Sequence, residues 1–226
     1  MARRGIIGGV TRLLGGPGVA VAIAAAASAA PLASDEFVAT ATTLSADSGG
    51  TALGEVTPAT PVTVAATRAD AAQVAIEGWS MHDAPQYLYP AIGQRIVLVT
   101  LDAAGQAART IERSQDDKYG IHWDEVKIVG WVPGANLTAD LSTVWQAART
   151  LYQDRCSACH ALHRPTEFTA NQWPSILKIM TMRAALAPNE AELVTKYLQM
   201  HAKVPGAGGG PGPKTGVTAG GRSPKR

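Results

Sequence analysis

The chain has only two cysteines, and both lie in the stretch RCSACH, Arg155 to His160. Cys156 and Cys159 are separated by two residues, and His160 follows at once. A thiol pair at this spacing with a histidine directly after it is the attachment pattern of c-type haem. The two sulfurs can reach the two vinyl positions on one edge of a porphyrin, and thioether links then hold the ring against the turn. His160 is thereby set beneath the iron as proximal ligand. One covalently bound haem c per chain is the expectation. Three other readings compete. Structural zinc would need four ligands, and His163 and His201, the histidines able to join this cluster, do not give the paired-ligand spacings of such sites. A thioredoxin-like redox pair would sit at the end of a strand opening a helix, whereas the residues before Cys156 read as a helix. The third is a plain disulfide. The complete five-residue pattern favours haem.

Three helices must position this motif. Trp145, Ala148 and Tyr152 fall on one face of a helix expected from about Leu141 to Asp154, which delivers Cys156. Asn171 precedes Gln172-Trp173-Pro174, a helix start with proline in the first turn. Trp173, Ile176, Leu177 and Met180 then share a face at i, i+3, i+4 and i+7. With Trp173 packed along the haem, Met180 lies two turns further on the same side and is the expected distal iron ligand. Met182 lies about 200° round the helix from Met180, so both cannot face the iron. His163, His201 or an open coordination position are the alternatives, and core filler is the bland reading of Met180. The last helix is expected from Pro188 to about Ala202, with Glu190 and Glu192 near its positive end and Leu193, Tyr197 and Met200 aligned. Trp173, Leu177 and Tyr197 form the expected haem pocket.

Before the helices the period changes. The runs 60–66, 72–79, 95–102 and 124–131 alternate apolar and polar residues between Gly, Pro, Asp or Asn clusters, which predicts strands. Val74-x-Ile76-x-Gly78-Trp79 returns as Val126-x-Ile128-x-Gly130-Trp131, suggesting two related β units that end at a Gly-Trp step. Trp79, Tyr87, Tyr89, Trp123 and Trp131 either line a recognition surface or fill a small core. At the start, Arg3, Arg4 and Arg12 precede an apolar run that ends in small residues near Ala27-Ser28-Ala29, the layout of a secretory signal. An uncleaved membrane anchor is the alternative. Export agrees with covalent haem attachment, which takes place outside the bacterial cytoplasmic membrane. A formal net charge of +2 gives no case for nucleic acid as partner. The Gly/Pro-rich, basic stretch from Lys203 reads as a disordered tail.

The GEVTPATPVTV onset with its VxIxGW strand resembles bacterial SH3-like barrels, and the helical part resembles small class I c-type cytochromes. The expected fold class is therefore α+β multidomain, a small β (SH3-like) domain followed by an all-α class I-like cytochrome c domain. The expected boundaries are 1–29 signal peptide, 30–50 linker, 51–143 SH3-like domain, 144–202 cytochrome c domain and 203–226 tail. The combination of CxxCH, Leu162-His163, Phe168 to Trp173, Leu177-Lys178, Met180 and Lys196 to Ala202 resembles the C-terminal monohaem region of the pentahaem cytochromes. Those proteins pass quinol electrons to periplasmic trimethylamine N-oxide and dimethyl sulfoxide reductases. The likeness extends back through VxIxGW and IVGWV to about Gly54. Those proteins carry four further haem motifs that this sequence lacks, so quinol oxidation is not implied for it.

The resemblance implies a periplasmic electron-transfer protein and not an enzyme, exchanging single electrons with a redox protein. The partner it suggests is a molybdopterin oxidoreductase, such as trimethylamine N-oxide reductase, or a membrane multihaem quinol-oxidising cytochrome. A haem-based redox or ligand sensor, or a docking protein using the β module, is the alternative. A haem enzyme such as a peroxidase is a third class, which needs an open iron position.

Overall fold

The structure, a computed structural model, describes residues 34–204. Ten strands come first, interrupted by one short helix: β1 (Ser34–Val38), β2 (Thr42–Ser45), β3 (Ala52–Val56), β4 (Pro61–Arg68), β5 (Ala71–Met81), β6 (Ala84–Tyr89), β7 (Val99–Leu101), α1 (Ala103–Ala108), β8 (Thr110–Asp116), β9 (His122–Pro133) and β10 (Leu137–Thr138). Three helices follow, α2 (Leu141–Cys156), α3 (Trp173–Arg183) and α4 (Pro188–Met200).

The strands form one antiparallel sheet in the order β10-β1-β4-β5-β6-β7-β3-β2-β9-β8. A further pairing between β5 and β9 closes β5, β6, β7, β3, β2 and β9 into a six-stranded barrel. Closure removes the unpaired edges that those six strands would otherwise present. Val38, Leu44, Val56, Val74, Ile76, Leu88, Val99, Val126 and Ile128 are fully buried in its core. Along β5 and β9 every second residue faces that core, as the two-residue period of a strand requires.

The near-repeat takes its meaning from this closure. Val74 pairs with Gly130, Ile76 with Ile128 and Gly78 with Val126, so the two copies are each other's partners, related about the Ile76–Ile128 pair. Both Gly-Trp steps need glycine for close approach. A Cβ on Gly78 would lie 2.7 Å from the Tyr89 carbonyl oxygen, and one on Gly130 would lie 2.8 Å from Leu44 Cδ1. Each tryptophan carries a guanidinium on its ring: Arg113 lies 5.1 Å from the Trp79 centroid and Arg68 lies 4.5 Å from that of Trp131. Of the five aromatics singled out above, Tyr89, Trp123 and Trp131 are buried, while Trp79 and Tyr87 are half-buried.

The expected fold class is corrected by this architecture. The chain is mostly β, with a six-stranded barrel and few helices, and it does not contain a separate all-α class I-like cytochrome c domain. The described residues form one compact unit. Two physical reasons account for the difference. The stretch 30–50, expected to be a linker, supplies β1 and β2, whose Val38 and Leu44 reach the core. The helices, in turn, are tied to the barrel by buried polar bonds, Lys196 Nζ donating to Thr57 Oγ1 at 2.7 Å and Gln199 Nε2 to the Arg95 carbonyl at 3.2 Å. The stretch 1–29, expected to be a signal peptide, and all but the first two residues of the expected tail lie outside the described residues. Among the described residues no helix is long and apolar enough to cross a membrane.

Candidate haem site

Helix α2 begins at an N-cap, Asp140, whose Oδ1 accepts from the Ser142 amide at 2.9 Å. It buries Val144, Ala148 and Tyr152 at i, i+4 and i+8. Its last residue is Cys156, so the first thiol is held by the end of a capped helix while the second, Cys159, lies in the turn beyond. Cys156 is half-buried, Cys159 and His160 are exposed, and both thiols are free. Burial, and then the neighbouring Cys159, pushes the Cys156 thiol above its ordinary value. Burial, followed by the same thiol, pushes the Tyr152 phenol up to about 12.

His160 Nδ1 donates to the Ala161 carbonyl at 2.7 Å. A carbonyl only accepts, so Nδ1 carries the proton, and in the neutral ring Nε2 keeps its lone pair for a metal. His163 lies beside it, with ring centroids 5.7 Å apart, and its Nδ1 is 3.1 Å from Glu167 Oε1. His201 is engaged elsewhere, its Nδ1 donating to the Tyr197 carbonyl at 2.8 Å and its ring against Trp145.

Ala148, Tyr152, Trp173, Leu177, Val194, Tyr197 and Leu198 make one buried cluster, with Cys156, Leu162 and Phe168 packed against it. The sequence-predicted pocket residues Trp173, Leu177 and Tyr197 are thus brought together. Met180 is half-buried on α3, two turns beyond Trp173 and outside that cluster, while Met182 is 73% exposed. Ile179, also on α3, is 57% exposed, so this helix leaves apolar side chains uncovered near its end.

The segment joining Cys159 to α3 has one short helical turn, Pro165–Glu167, and is otherwise irregular. Its position depends on bonds from its surroundings. Tyr152 Oη donates to the His163 carbonyl at 2.9 Å, Trp173 Nε1 to Pro165 O at 3.0 Å, the Lys203 amide to Phe168 O at 3.0 Å and Gln199 Nε2 to Ala170 O at 3.0 Å. The barrel adds a reciprocal pair. Asn171 Nδ2 donates to the Gly93 carbonyl at 2.8 Å, and Asn171 Oδ1 accepts from the Arg95 amide at 2.8 Å. Sequence reasoning took Asn171 for a helix start and assigned no partner to Lys196 or Gln199. The only signal was the placement of polar residues among apolar ones in FTANQW and KYLQ.

The donor set fits a c-type haem: two unbridged thiols at the right spacing, an imidazole with a free Nε2, and exposed apolar side chains on the adjacent helix.

Residues 26–137 match the family model of the TorC third cytochrome c domain, and residues 152–214 match that of the dihaem cytochrome c family. The first match covers a cysteine-free stretch whose described part, from Ser34 on, supplies the strands of the barrel and its sheet. The cytochrome c-type protein TorY of Escherichia coli O157:H7 is 36% identical over 152 residues, which is 67% of this chain and 41% of that protein. TorY of Haemophilus influenzae is 31% identical over 135 residues, 59% of this chain and 37% of that protein. Cytochrome c-type protein TorC of Escherichia coli K12 is 28% identical over 153 residues, 67% and 39% respectively. The chain therefore spans about two fifths of the length of these relatives. No solved structure matches it significantly. The likeness is to electron-transfer proteins rather than enzymes, as expected from the sequence. The chain is a homologue of the TorY and TorC c-type cytochromes.

Proposed function

We propose that the chain is a periplasmic monohaem c-type cytochrome that exchanges single electrons with a redox partner. By the resemblance stated above, that partner is a molybdoenzyme of the trimethylamine N-oxide reductase kind. The observation that carries the reading is the attachment motif itself, with Cys156 closing a capped helix and His160 turned so that Nε2 is free. When bound, the haem supplies a one-electron iron couple. The chain's own residues attach it through Cys156 and Cys159, ligate it through His160, and wall it with Trp173, Leu177 and Tyr197. Met180 is the proposed sixth ligand, which would favour reduced iron more than a second imidazole does. One haem per chain follows from two cysteines. Export rests on the arginine-led apolar segment at the start of the sequence. The nearness of His163 to His160 favours a second reading, in which a histidine takes the distal place.

Protein expressed with an export signal and the haem-attachment machinery should carry haem that survives a denaturing gel, and the Cys156→Ala/Cys159→Ala double variant should carry none. Unchanged haem staining in the double variant would sink the proposal. The optical spectrum of the oxidised protein separates the two readings of the distal ligand. The far-red charge-transfer band of iron–methionine bonding should be present and should vanish in Met180→Ala. If the band is absent, and the spectrum changes in His163→Ala instead, the histidine reading holds.

A further inference from the structure

The inward face of the barrel changes character at one end. On β5 its row runs Val74, Ile76, Gly78, Ser80, and on β9 it runs Ile128, Val126, Asp124, all buried. Ser80 stands directly opposite Asp124, so apolar pairs give way to a polar one. His82 and His122 continue the two rows at the barrel mouth, and the His82 amide donates to the His122 carbonyl at 3.0 Å. On the other side β8 places Ser114 opposite Asp124 and Asp116 opposite His122. Directly opposite residues of an antiparallel pair project to the same face. Three neighbouring strands therefore bring two imidazoles, two carboxylates and two hydroxyls together.

The distances are those of a ligand set. Asp124, only 1% exposed, has its Oδ2 3.1 Å from His82 Nδ1 and its Oδ1 3.9 Å from His122 Nε2. One ligand atom from each of the three residues lies within 4.8 Å of the other two. In a tetrahedral site with bonds of about 2.0–2.1 Å, ligand atoms stand about 3.3 Å apart, a value between the two contacts. The supporting bonds are also in place. Asp116 Oδ1 accepts from His122 Nδ1 at 2.7 Å, which in the neutral ring leaves Nε2 its lone pair on the side of Asp124, and Ser114 Oγ donates to Asp124 Oδ1 at 2.6 Å. A carboxylate behind a ligating imidazole and a donor behind a ligating carboxylate are the outer partners of protein metal centres. An independent observation lies at the same place. Ser80 Oγ is the only buried side-chain polar atom found without a hydrogen-bond partner among the described residues.

We infer that His82, His122 and Asp124 bind a divalent cation of the zinc class at the barrel mouth, apart from the haem motif. Two imidazoles and one carboxylate suit zinc or copper and not calcium or magnesium, which take oxygen ligands. With three protein ligands the fourth position faces solvent, since the two histidine side chains are 62% and 48% exposed. The bound ion clips the β5–β6 turn to the β8–β9 hairpin.

The test is calorimetric titration of the full, haem-loaded chain with zinc sulfate. One equivalent should bind. His82→Ala and His122→Ala should each weaken binding by more than the ~10–100-fold that loss of an outer partner costs, and Asp116→Asn should fall within that range. Zinc-edge X-ray absorption should report two imidazoles around the ion. Both histidines are exposed, so their variants should keep the wild-type circular dichroism spectrum, and His82→Gln repeats the test should His82→Ala unfold. No stoichiometric uptake, or uptake that neither histidine variant alters, would overturn the site and leave His82 and Asp124 as an ion pair alone.

Discussion

Lys196 is a lysine with only 3% exposure, on a helix face that packs against the barrel. Its Nζ donates to Thr57 Oγ1 at 2.7 Å and to the Val97 carbonyl. Burial pushes its amine from the ordinary 10.5 down to about 7, against the pull of Glu192 one turn earlier. The other charged groups about it are Glu55 on β3, which acts on Glu192, and Arg95 in the β6–β7 connection. The sign follows from linkage. Between about pH 7 and pH 10.5 the unfolded chain holds a proton on this lysine that the folded chain has released, so stability rises with pH across that window. Below the window both states are protonated, and this group adds no slope. At about 1.4 kcal/mol per unit, the full window is worth on the order of 5 kcal/mol. Lys196→Met keeps the length and removes the titration. Urea unfolding followed by circular dichroism should show the wild type gaining stability relative to Lys196→Met as pH rises through the window. The phenol of Tyr152 also responds to alkali, but it is common to both proteins and cancels in the difference. Equal pH profiles for the two proteins would refute the reasoning, because they would mean that Lys196 stays charged and hydrated in the folded state.

Two further perturbations test the packing. Trp173 is 1% exposed, stacks edge-on to Phe168 and donates to Pro165 O, so Trp173→Ala should cost about 3–5 kcal/mol in denaturant unfolding. A cost below about 1 kcal/mol would mean that the ring is not a core element. Gly130→Ala would bring a methyl within 2.8 Å of Leu44 Cδ1 and 2.9 Å of Ser45 O, and should destabilise by about 1–3 kcal/mol in the same assay. Val129→Ala, at an exposed neighbouring position, should stay within about 0.5 kcal/mol.

The helices were legible because each carries its own signals. Pro174 and Pro188 lie in first turns and the apolar stripes repeat at helical spacing, so α2 and α4 fall within two residues of expectation at either end and α3 starts where its proline and Asn171 place it, to within two residues. Strands β4, β5 and β9 were legible from alternation, because one face of each is buried. Strand β8 was not, since TIERSQD is exposed on both faces at the sheet edge and has no pattern to read. β1 and β2 were hidden by small polar residues, with single apolar side chains reaching the core. The run 95–102 was read as one strand, yet only Val99–Leu101 pairs as one. Its first half instead turns its backbone toward Asn171, Lys196 and Gln199. The near-repeat was visible, but its partnership across β5 and β9 was not, because sequence similarity carries no register.

The same misread segment explains why barrel and helices act as one unit. The chain between Cys159 and Trp173 has little regular structure, so a group held by Cys156, Cys159 and His160 takes its orientation from whatever fixes that segment. Four bonds come from α2, α3, α4 and Lys203, three residues past the end of α4. Two more come from Gly93 and Arg95 in the β6–β7 connection, both through Asn171. Each such bond is worth only about 0.5–1.5 kcal/mol net. Together, however, they leave the segment few alternative positions, because releasing one end of Asn171 strains the other. Removing the barrel would therefore free the loop at Asn171 and strip the donors of Lys196 and Gln199 of their acceptors on Val97 and Arg95. That face of α4 would then lose the surface it packs against and would meet water, and α4 carries Tyr197 in the wall of the proposed haem pocket. The barrel is thus part of what holds the pocket in shape, whatever partner its outer surface meets.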